Sequence, residues 1–336
     1  MKRRDFLMVA CAAGLTAPAT RAQAPGKLHR IAFVHSSIPA DQLVESGGTR
    51  IRWVGQFFRE LRRLGDFDGV GGNLIIERYS GEGHSRTHAD LAQKVVNSRP
   101  DVVVTVAPLI PAFQAVSRSL PIAGFVADPV SLGFAESLAR PGGNITGVSI
   151  DAGVEVYGKQ LQILKEVIPS VARVGYLATE RVWKTPIAQA ARDASQQLGI
   201  SLIGMVLPEV TTAELRQVFQ NTERWSLDAV AVSPSGELIG SMENIVELVG
   251  AHRLPAIYAY REYVEAGGLM AYAPELGDPA RHLAGQVHQI LNGKKPDEIP
   301  IFQATKFELL LNQHSARSLG IKFPQVLLAR ADEVIE

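Results

Sequence analysis

Short apolar segments alternate along the chain with longer segments in which apolar residues recur at helical spacing. The first segment, RIAFVH (30–35), is followed near 49–64 by a stretch with one apolar face. This face comprises Ile51, Val54, Phe57, Phe58, Leu61 and Leu64. Strands that alternate with helices predict right-handed crossovers and a parallel sheet covered by helices on both sides.

The pattern predicts two successive series of such elements. The first series has strands at 30–35, 73–80, 101–106 and 121–127, and helices near 49–64, 85–98 and 109–118. The second has strands at 173–178, 201–207, 228–233 and 255–260, and helices near 154–167, 185–198, 212–224 and 237–252. Thr211 is predicted to cap the helix that begins at 212. The sequence therefore predicts two similar α/β halves.

Between the two series lies ARPGGNITGVS (139–149), where a proline and two glycines end a helix before a short alternating strand. We interpret this segment as a crossing between two lobes, the alternative being a loop within one large sheet. Two further crossings are predicted near 270–276 and 300–306, with a helix near 278–292 that returns to the first lobe. The first lobe would then comprise 28–145 plus about 274–302, and the second 146–273 plus about 303–336.

The first 22 residues are typical of a secretory signal peptide, with a basic start and an apolar run from Phe6 to Leu15. We predict cleavage after Ala22 and a periplasmic location. Arg3 and Arg4 favour a twin-arginine signal, with an ordinary Sec signal as the alternative. The only cysteine, Cys11, lies in this segment, where lipidation is a second alternative.

The composition is that of a globular protein, with 46% hydrophobic and 20% charged residues. The length of 336 residues favours two domains. Formal net charge is zero, and the predicted signal peptide holds four basic residues and one acidic residue, so the remainder carries −3. Nothing in this charge balance indicates a nucleic-acid partner.

Parallel α/β sheets bind ligands beyond the carboxyl ends of their strands. The residues that follow the predicted strands carry hydroxyls, a few charges and aromatic rings, which suit a small polar ligand with an apolar body. The predicted ligand-binding residues are Ser36, Ser37, Ala107, Pro108, Asp128, Trp183, Ser233, Ser235, Glu237, Tyr260 and Arg261.

Some of these residues have a structural alternative. Asp128 precedes a proline and could cap the next turn instead of contacting a ligand. Trp183 is predicted to lie in a loop, where it would face the cleft or pack between helices. Arg261 could clamp a ligand carboxylate, or pair with Glu262 or Glu265 at the surface.

Three long segments resemble the substrate-binding proteins of ABC transporters, of the type named for tryptophan and tyrosine. They are DPVSLGFAESLARPGGNITGVS, LPAIYAYREYVEAGGLMAYAPEL and ATKFELLLNQHSARSLGIKFPQVLLARADEVIE. The resemblance implies a type I periplasmic binding-protein fold: two Rossmann-like α/β lobes with parallel sheets, joined by a multi-strand hinge. It also implies a small-molecule ligand, permease subunits in the inner membrane as partners, a monomer and no cofactor.

Two loops depart from members of this family that look like aromatic amino-acid binders. SPSGEL, with Ser235, Gly236 and Glu237, replaces an Asp-Asn pair, and VAPLIP replaces a Gly-Thr-Pro-type turn. These changes put tryptophan and tyrosine in doubt as ligands, and leave a carboxylate-bearing aromatic compound or another apolar acid.

Other classes of protein are less well supported by the sequence. The chain contains no G-x-S-x-G elbow, P-loop, H-E-x-x-H or G-x-G-x-x-G motif of an enzyme. A repressor would need a DNA-binding head, and a sensor would need a second long apolar run. His84 and His88 share a helical spacing with Asp90 nearby, but without a third ligand we expect no metal.

Overall fold

The computed structural model describes residues 27–45, 51–150 and 155–336. The predicted signal peptide, its cleavage site and Cys11 lie outside the described residues. None of the described helices combines the length and apolar character needed to cross a membrane.

The described residues form thirteen strands and thirteen α-helices. The strands are β1 (His29–His35), β2 (Leu74–Ser80), β3 (Val102–Val106), β4 (Ile122–Val126), β5 (Ile145–Ser149), β6 (Arg173–Thr179), β7 (Ser201–Leu207), β8 (Ala229–Val232), β9 (Ala256–Tyr258), β10 (Met270–Pro274), β11 (Phe302–Gln303), β12 (Phe307–Asn312) and β13 (Glu333–Ile335). The helices are α1 (Arg52–Arg63), α2 (His88–Asn97), α3 (Ile110–Val116), α4 (Glu155–Val167), α5 (Glu180–Trp183), α6 (Pro186–Gln197), α7 (Thr212–Gln220), α8 (Gly236–Ile239), α9 (Met242–Ala251), α10 (Arg261–Glu265), α11 (Gly277–Leu291), α12 (Gln313–Leu319) and α13 (Gln325–Leu328).

The strands form two sheets, each the centre of one α/β lobe. The first sheet has the order β11-β5-β4-β3-β1-β2, and the second has the order β13-β12-β10-β9-β8-β6-β7. Helices α1 and α11 pack together on one side of the first sheet, and α2 and α3 on the other. In the second lobe the pairs are α4 with α6 and α7 with α9. The predicted fold class of two parallel-sheet lobes is confirmed.

The predicted apolar face of the first helix is buried against the first sheet. Phe57, Phe58 and Leu61 are at most 5% exposed, and Phe57 and Phe58 both contact the ring of Phe33 on β1. The predicted cap of α7 is also present, since the Thr211 hydroxyl accepts from the backbone N–H of Glu214.

Residues 145–149 of the segment 139–149 form a strand of the first sheet, which corrects the interpretation of this segment as the crossing between the lobes. Its strand β5 pairs with β4 along its whole length, so the first sheet extends to residue 149 and not to 145. Gly147, with φ +141°, lies so close to Gly124 that a Cβ would be 2.1 Å from the Gly124 carbonyl oxygen. The glycine is therefore required by strand pairing, and the chain passes to the second lobe only after Ser149.

The chain returns to the first lobe after β10. Helix α11 is attached there by His288, whose Nδ1 lies 2.5 Å from the Asp66 carboxylate, and by Gln286, which donates to the Gly147 carbonyl oxygen. Strand β11 then pairs with β5, and β12 re-enters the second sheet antiparallel to β10. The second sheet is therefore parallel except at this pair.

Two helical segments of the second lobe differ from the prediction. The helix expected near 237–252 is divided into α8 and α9. Between them Gly240 approaches the other lobe so closely that a Cβ would lie 2.4 Å from the carbonyl oxygen of Ser37. The loop predicted around Trp183 is the short helix α5.

Candidate ligand-binding cleft

A cavity lies between the lobes, at the carboxyl ends of the strands. Its volume is about 100 Å³. Its walls are largely apolar and come from both lobes, with two aromatic side chains from the first and four from the second. They are Trp53, Phe125, Tyr157, Tyr260, Tyr272 and Phe307.

The aromatic rings contact one another within each lobe. The Trp53 and Phe125 ring centroids are 4.6 Å apart at an interplanar angle of 56°. Tyr272 and Phe307 stack at 5.6 Å and 27°. Because the β10–β12 pair positions Tyr272 and Phe307, while α1 and β4 position Trp53 and Phe125, the cavity depends on the two lobes lying face to face.

One polar lining residue is a neutral histidine at the end of β1. His35 is 1% exposed, and burial lowers its pKa to about 3. Its Nδ1 accepts from the backbone N–H groups of Ser37 and Ile38 at 3.1 and 3.0 Å. The ring proton of this neutral imidazole is therefore on Nε2, where it is a donor.

A charged pair borders the cavity on the second lobe. Arg181 on α5 lines the cavity, and its Nε and Nη2 donate to the two carboxylate oxygens of Glu237 at 3.0 and 3.1 Å. The Ser235 hydroxyl donates to the same carboxylate at 2.6 Å. Burial opposes the ionisation of Glu237, but Arg181 and Ser235 together lower its pKa.

The loops of the two lobes are also joined by direct hydrogen bonds. The hydroxyl of Ser37 contacts the backbone of Gly236 and Gly240 across the cleft. At a second point, the backbone N–H and the hydroxyl of Ser85 both donate to the Glu209 carboxylate at 3.2 Å. These contacts hold the cleft in a closed arrangement.

A sequence model of the family described as ABC transporter substrate binding protein matches residues 67–335. The chain belongs to this family. It is 23% identical over 272 residues to a tyrosine-binding protein of Clostridioides difficile (strain R20291), a match that covers 79% of this chain and 76% of that protein.

Solved structures of other proteins share the fold of this family member. A conserved domain protein from Vibrio cholerae is 22% identical, with a TM-score of 0.78 over 92% of this chain and 100% of that one. An ABC domain from Streptococcus pneumonia in complex with L-Trp is 21% identical, with a TM-score of 0.77 over 91% of this chain and 99% of that one. The fold is that of type I periplasmic binding proteins.

Three of the predicted ligand-binding residues line the cavity of this substrate-binding protein: Ala107, Pro108 and Tyr260. Tyr260 is 7% exposed, and its hydroxyl donates to the Pro234 carbonyl oxygen at 3.3 Å. Ser37, Ser235 and Glu237 lie behind the lining and act on it through the hydrogen bonds described above.

Ser36 and Ser233 are buried near the same strand ends but do not line the cavity. Neither hydroxyl has a hydrogen-bond partner among the described residues.

Asp128 and Trp183 have structural roles, which were the alternatives to the predicted ligand contacts. The Asp128 carboxylate accepts from the backbone N–H groups of Val130 and Ser131 at 3.0 and 3.1 Å, so it caps the turn after β4. The ring of Trp183 packs against Gly204, where a Cβ would be 2.8 Å away, and beneath the guanidinium of Arg192. Neither side chain lines the cavity.

Arg261 lies apart from the cavity lining, and carboxylates surround its guanidinium. Its nitrogens pair with Glu265 at 3.0 Å, Glu308 at 2.7 Å and Glu333 at 2.5 Å. Burial acts against its charge, but these carboxylates outweigh burial and raise the pKa of Arg261. The expectation that Arg261 clamps a ligand carboxylate is corrected: it ties α10 to β12 and β13.

Apart from Tyr260, the aromatic residues of the walls were missed, because their sequence signal is the same as that of a core residue. Trp53 precedes Val54 on the buried side of α1, and Phe125 lies inside an apolar strand. Tyr272 and Phe307 come from β10 and β12, which are paired only in the folded chain.

Proposed function

We propose that this chain is the extracytoplasmic solute-binding component of an ABC importer, which encloses a small aromatic ligand between two lobes and delivers it to membrane permease subunits. The observation that carries this proposal is the aromatic cavity to which both lobes contribute. A ligand that fills it bridges the lobes and favours the closed arrangement, and a permease could recognise that arrangement.

The aromatic character of the ligand follows from the walls. Trp53, Phe125, Tyr260, Tyr272 and Phe307 offer ring faces and edges, which are best satisfied by another ring. The relatives named for tyrosine and solved with L-Trp are consistent with a ring-bearing ligand.

The proposal also includes the export and architecture of the chain. Residues 1–22 would be removed as a signal peptide, and the mature monomer would lie in the periplasm. The first lobe would comprise 28–149 plus about 274–303, and the second the remainder. Replacing Arg3 and Arg4 with lysine should prevent export if the signal is of the twin-arginine type and leave it intact if the Sec route is used.

A thermal-shift screen of the mature chain tests this function. The set should contain aromatic acids, aromatic amino acids and, as controls, sugars of similar size. An aromatic compound present at 100 times its dissociation constant should stabilise the folded state by about 2.7 kcal/mol. Stabilisation by the sugars alone would contradict the proposal.

We propose that the chain binds its ligand without changing it. Ligand incubated with the protein and recovered after denaturation should be chemically identical to the starting compound. A time-dependent product would identify an enzyme on the same two-lobe fold.

A further inference from the structure

The position of Arg181 is set by the end of strand β6, where helix α5 begins. The strand ends at Thr179, whose hydroxyl accepts from the backbone N–H of Val182 at 3.4 Å and so begins α5. Arg181 is the second residue of that short helix. Its side chain is 42% exposed and reaches the aromatic cavity.

The guanidinium of Arg181 is held in one orientation from one side. Glu237 is 2% exposed and accepts from both Nε and Nη2, and Ser235 fixes the same carboxylate. An arginine has five N–H donors, and this fork uses two of them. No other hydrogen bond joins Arg181 to a described residue, so the Nη1 edge keeps its donors.

Arg181 lies where two cavities meet. Arg181 lines the aromatic cavity, and it also lines a polar pocket of about 300 Å³ between the lobes. The polar pocket is bordered by Ser85, Lys184 and Glu209. A ligand with its ring between the aromatic walls would therefore have its polar end at the guanidinium.

The neutral ring of His35 adds a donor without adding charge. Because its Nδ1 is occupied by two backbone N–H groups, Nε2–H is left to face a ligand acceptor. A fixed cation and a neutral donor on the lining of the same apolar cavity suit a carboxylate.

We propose that Arg181 binds the carboxylate of the ligand through the N–H edge that Glu237 leaves free, and that the site therefore selects aromatic carboxylic acids over uncharged aromatic compounds of the same shape. Glu237 is a positioning residue that orients the guanidinium. This inference rests on the proposed function, because it assumes that an aromatic ligand occupies the cavity.

Calorimetric titration with matched acid and amide pairs tests the inference. Suitable pairs are 3-phenylpropionate with 3-phenylpropionamide, and indole-3-acetate with indole-3-acetamide. The wild-type chain should bind the acid of at least one pair roughly 10- to 100-fold more tightly than its amide. Arg181→Gln should remove this preference and change the amide affinity less than about threefold.

Three further variants separate the role of Arg181 from the other effects of its substitution. Since Arg181→Gln leaves Glu237 buried and unpaired, the double variant Arg181→Gln/Glu237→Gln removes both charges and should also show no acid preference. Arg181→Lys should recover part of the preference. Arg192→Gln, which removes an arginine of the same lobe stacked on Trp183, is the matched control and should retain all of it.

The outcomes separate the inference from the function on which it rests. Equal binding of acid and amide by the wild-type chain, or an acid preference that persists in both Arg181→Gln and Arg181→Gln/Glu237→Gln, would overturn the inference and leave the aromatic ligand in place. If no acid or amide binds the wild-type chain, the proposed aromatic ligand is wrong and the inference fails with it.

Discussion

The hydroxyl of Ser37 donates a hydrogen bond of 2.6 Å to the carbonyl oxygen of Gly236. It also accepts from the backbone N–H of Gly240 at 3.0 Å. Ser37 follows β1 of the first lobe, whereas the two glycines flank the second-lobe residues Glu237–Ile239 of α8. One side chain thus joins the two lobes next to the cavity.

Ser37→Ala should weaken ligand binding while leaving the lobes folded. Both hydrogen bonds join the lobes, so their loss disfavours the closed arrangement by about 1–2 kcal/mol, or roughly 5- to 30-fold in affinity. Calorimetric titration with the tightest compound of the screen measures the effect. Ser318→Ala, which removes a hydroxyl that bonds within α12, is the matched control. An affinity unchanged by Ser37→Ala would show that this contact does not contribute to closure.

Arg261→Ala should destabilise the chain and leave ligand affinity unchanged. The substitution removes the cation shared by Glu265, Glu308 and Glu333, and it leaves the 9%-exposed Glu308 carboxylate without its counter-charge. We expect a loss of about 2–3 kcal/mol in the free energy of unfolding, measured by denaturant titration. A loss of ligand affinity without a loss of stability would indicate that Arg261 binds the ligand after all.

The periodicity of the sequence was sufficient to predict most strands and helices, because the formation of these elements depends mainly on local sequence. β1, β7 and α6 lie within a residue or two of their predicted bounds. The errors occur where contacts between residues far apart in the sequence intervene. The division at Gly240 reflects its contact with Ser37, and the pairing of β5 decides where the lobes divide.

The site was less predictable than the fold. Position after a strand end selected Tyr260 and Pro108, which line the cavity, but the same rule selected Arg261, which turns toward the acidic residues of β12 and β13. Arg181 follows a strand end as well, and no local pattern distinguishes the two arginines. The difference arises from the carboxylates that surround each, and these come from distant parts of the chain.

His35 predicts a loss of stability in acid. Its pKa in the folded chain is about 3 against an ordinary value of 6.5, so between these values the unfolded chain binds the extra proton. Relative to His35→Asn, whose amide oxygen can still accept from the backbone N–H groups, the wild-type chain should lose about 1.4 kcal/mol per pH unit as the pH falls below 6.5. Denaturant titrations from pH 4.5 to 7.5 measure this slope. A difference that does not vary with pH would mean that folding leaves the pKa of His35 unchanged.

The raised pKa of Glu262 predicts the opposite pH dependence of stability. Burial on α10 raises its pKa to about 7 from 4.5, so the folded chain retains a proton that the unfolded chain releases. Its contribution to stability is complete below pH 4.5 and is lost as the pH rises through 7. Glu262→Gln should therefore match the wild-type chain at pH 4.5 and exceed its free energy of unfolding at pH 8 by up to about 3 kcal/mol. Equal stabilities at pH 8 would show that the buried carboxylate ionises freely.

The most direct test of the account is the fluorescence of Trp53, because this residue lines the cavity and the other two tryptophans do not. In the variant Trp183→Phe/Trp225→Phe, the emission of Trp53 should change saturably as the tightest aromatic acid is added. Its midpoint should match the dissociation constant from calorimetry, with one ligand bound per chain. Calorimetric binding that leaves the Trp53 emission unchanged would place the ligand elsewhere and contradict a binding site between the lobes.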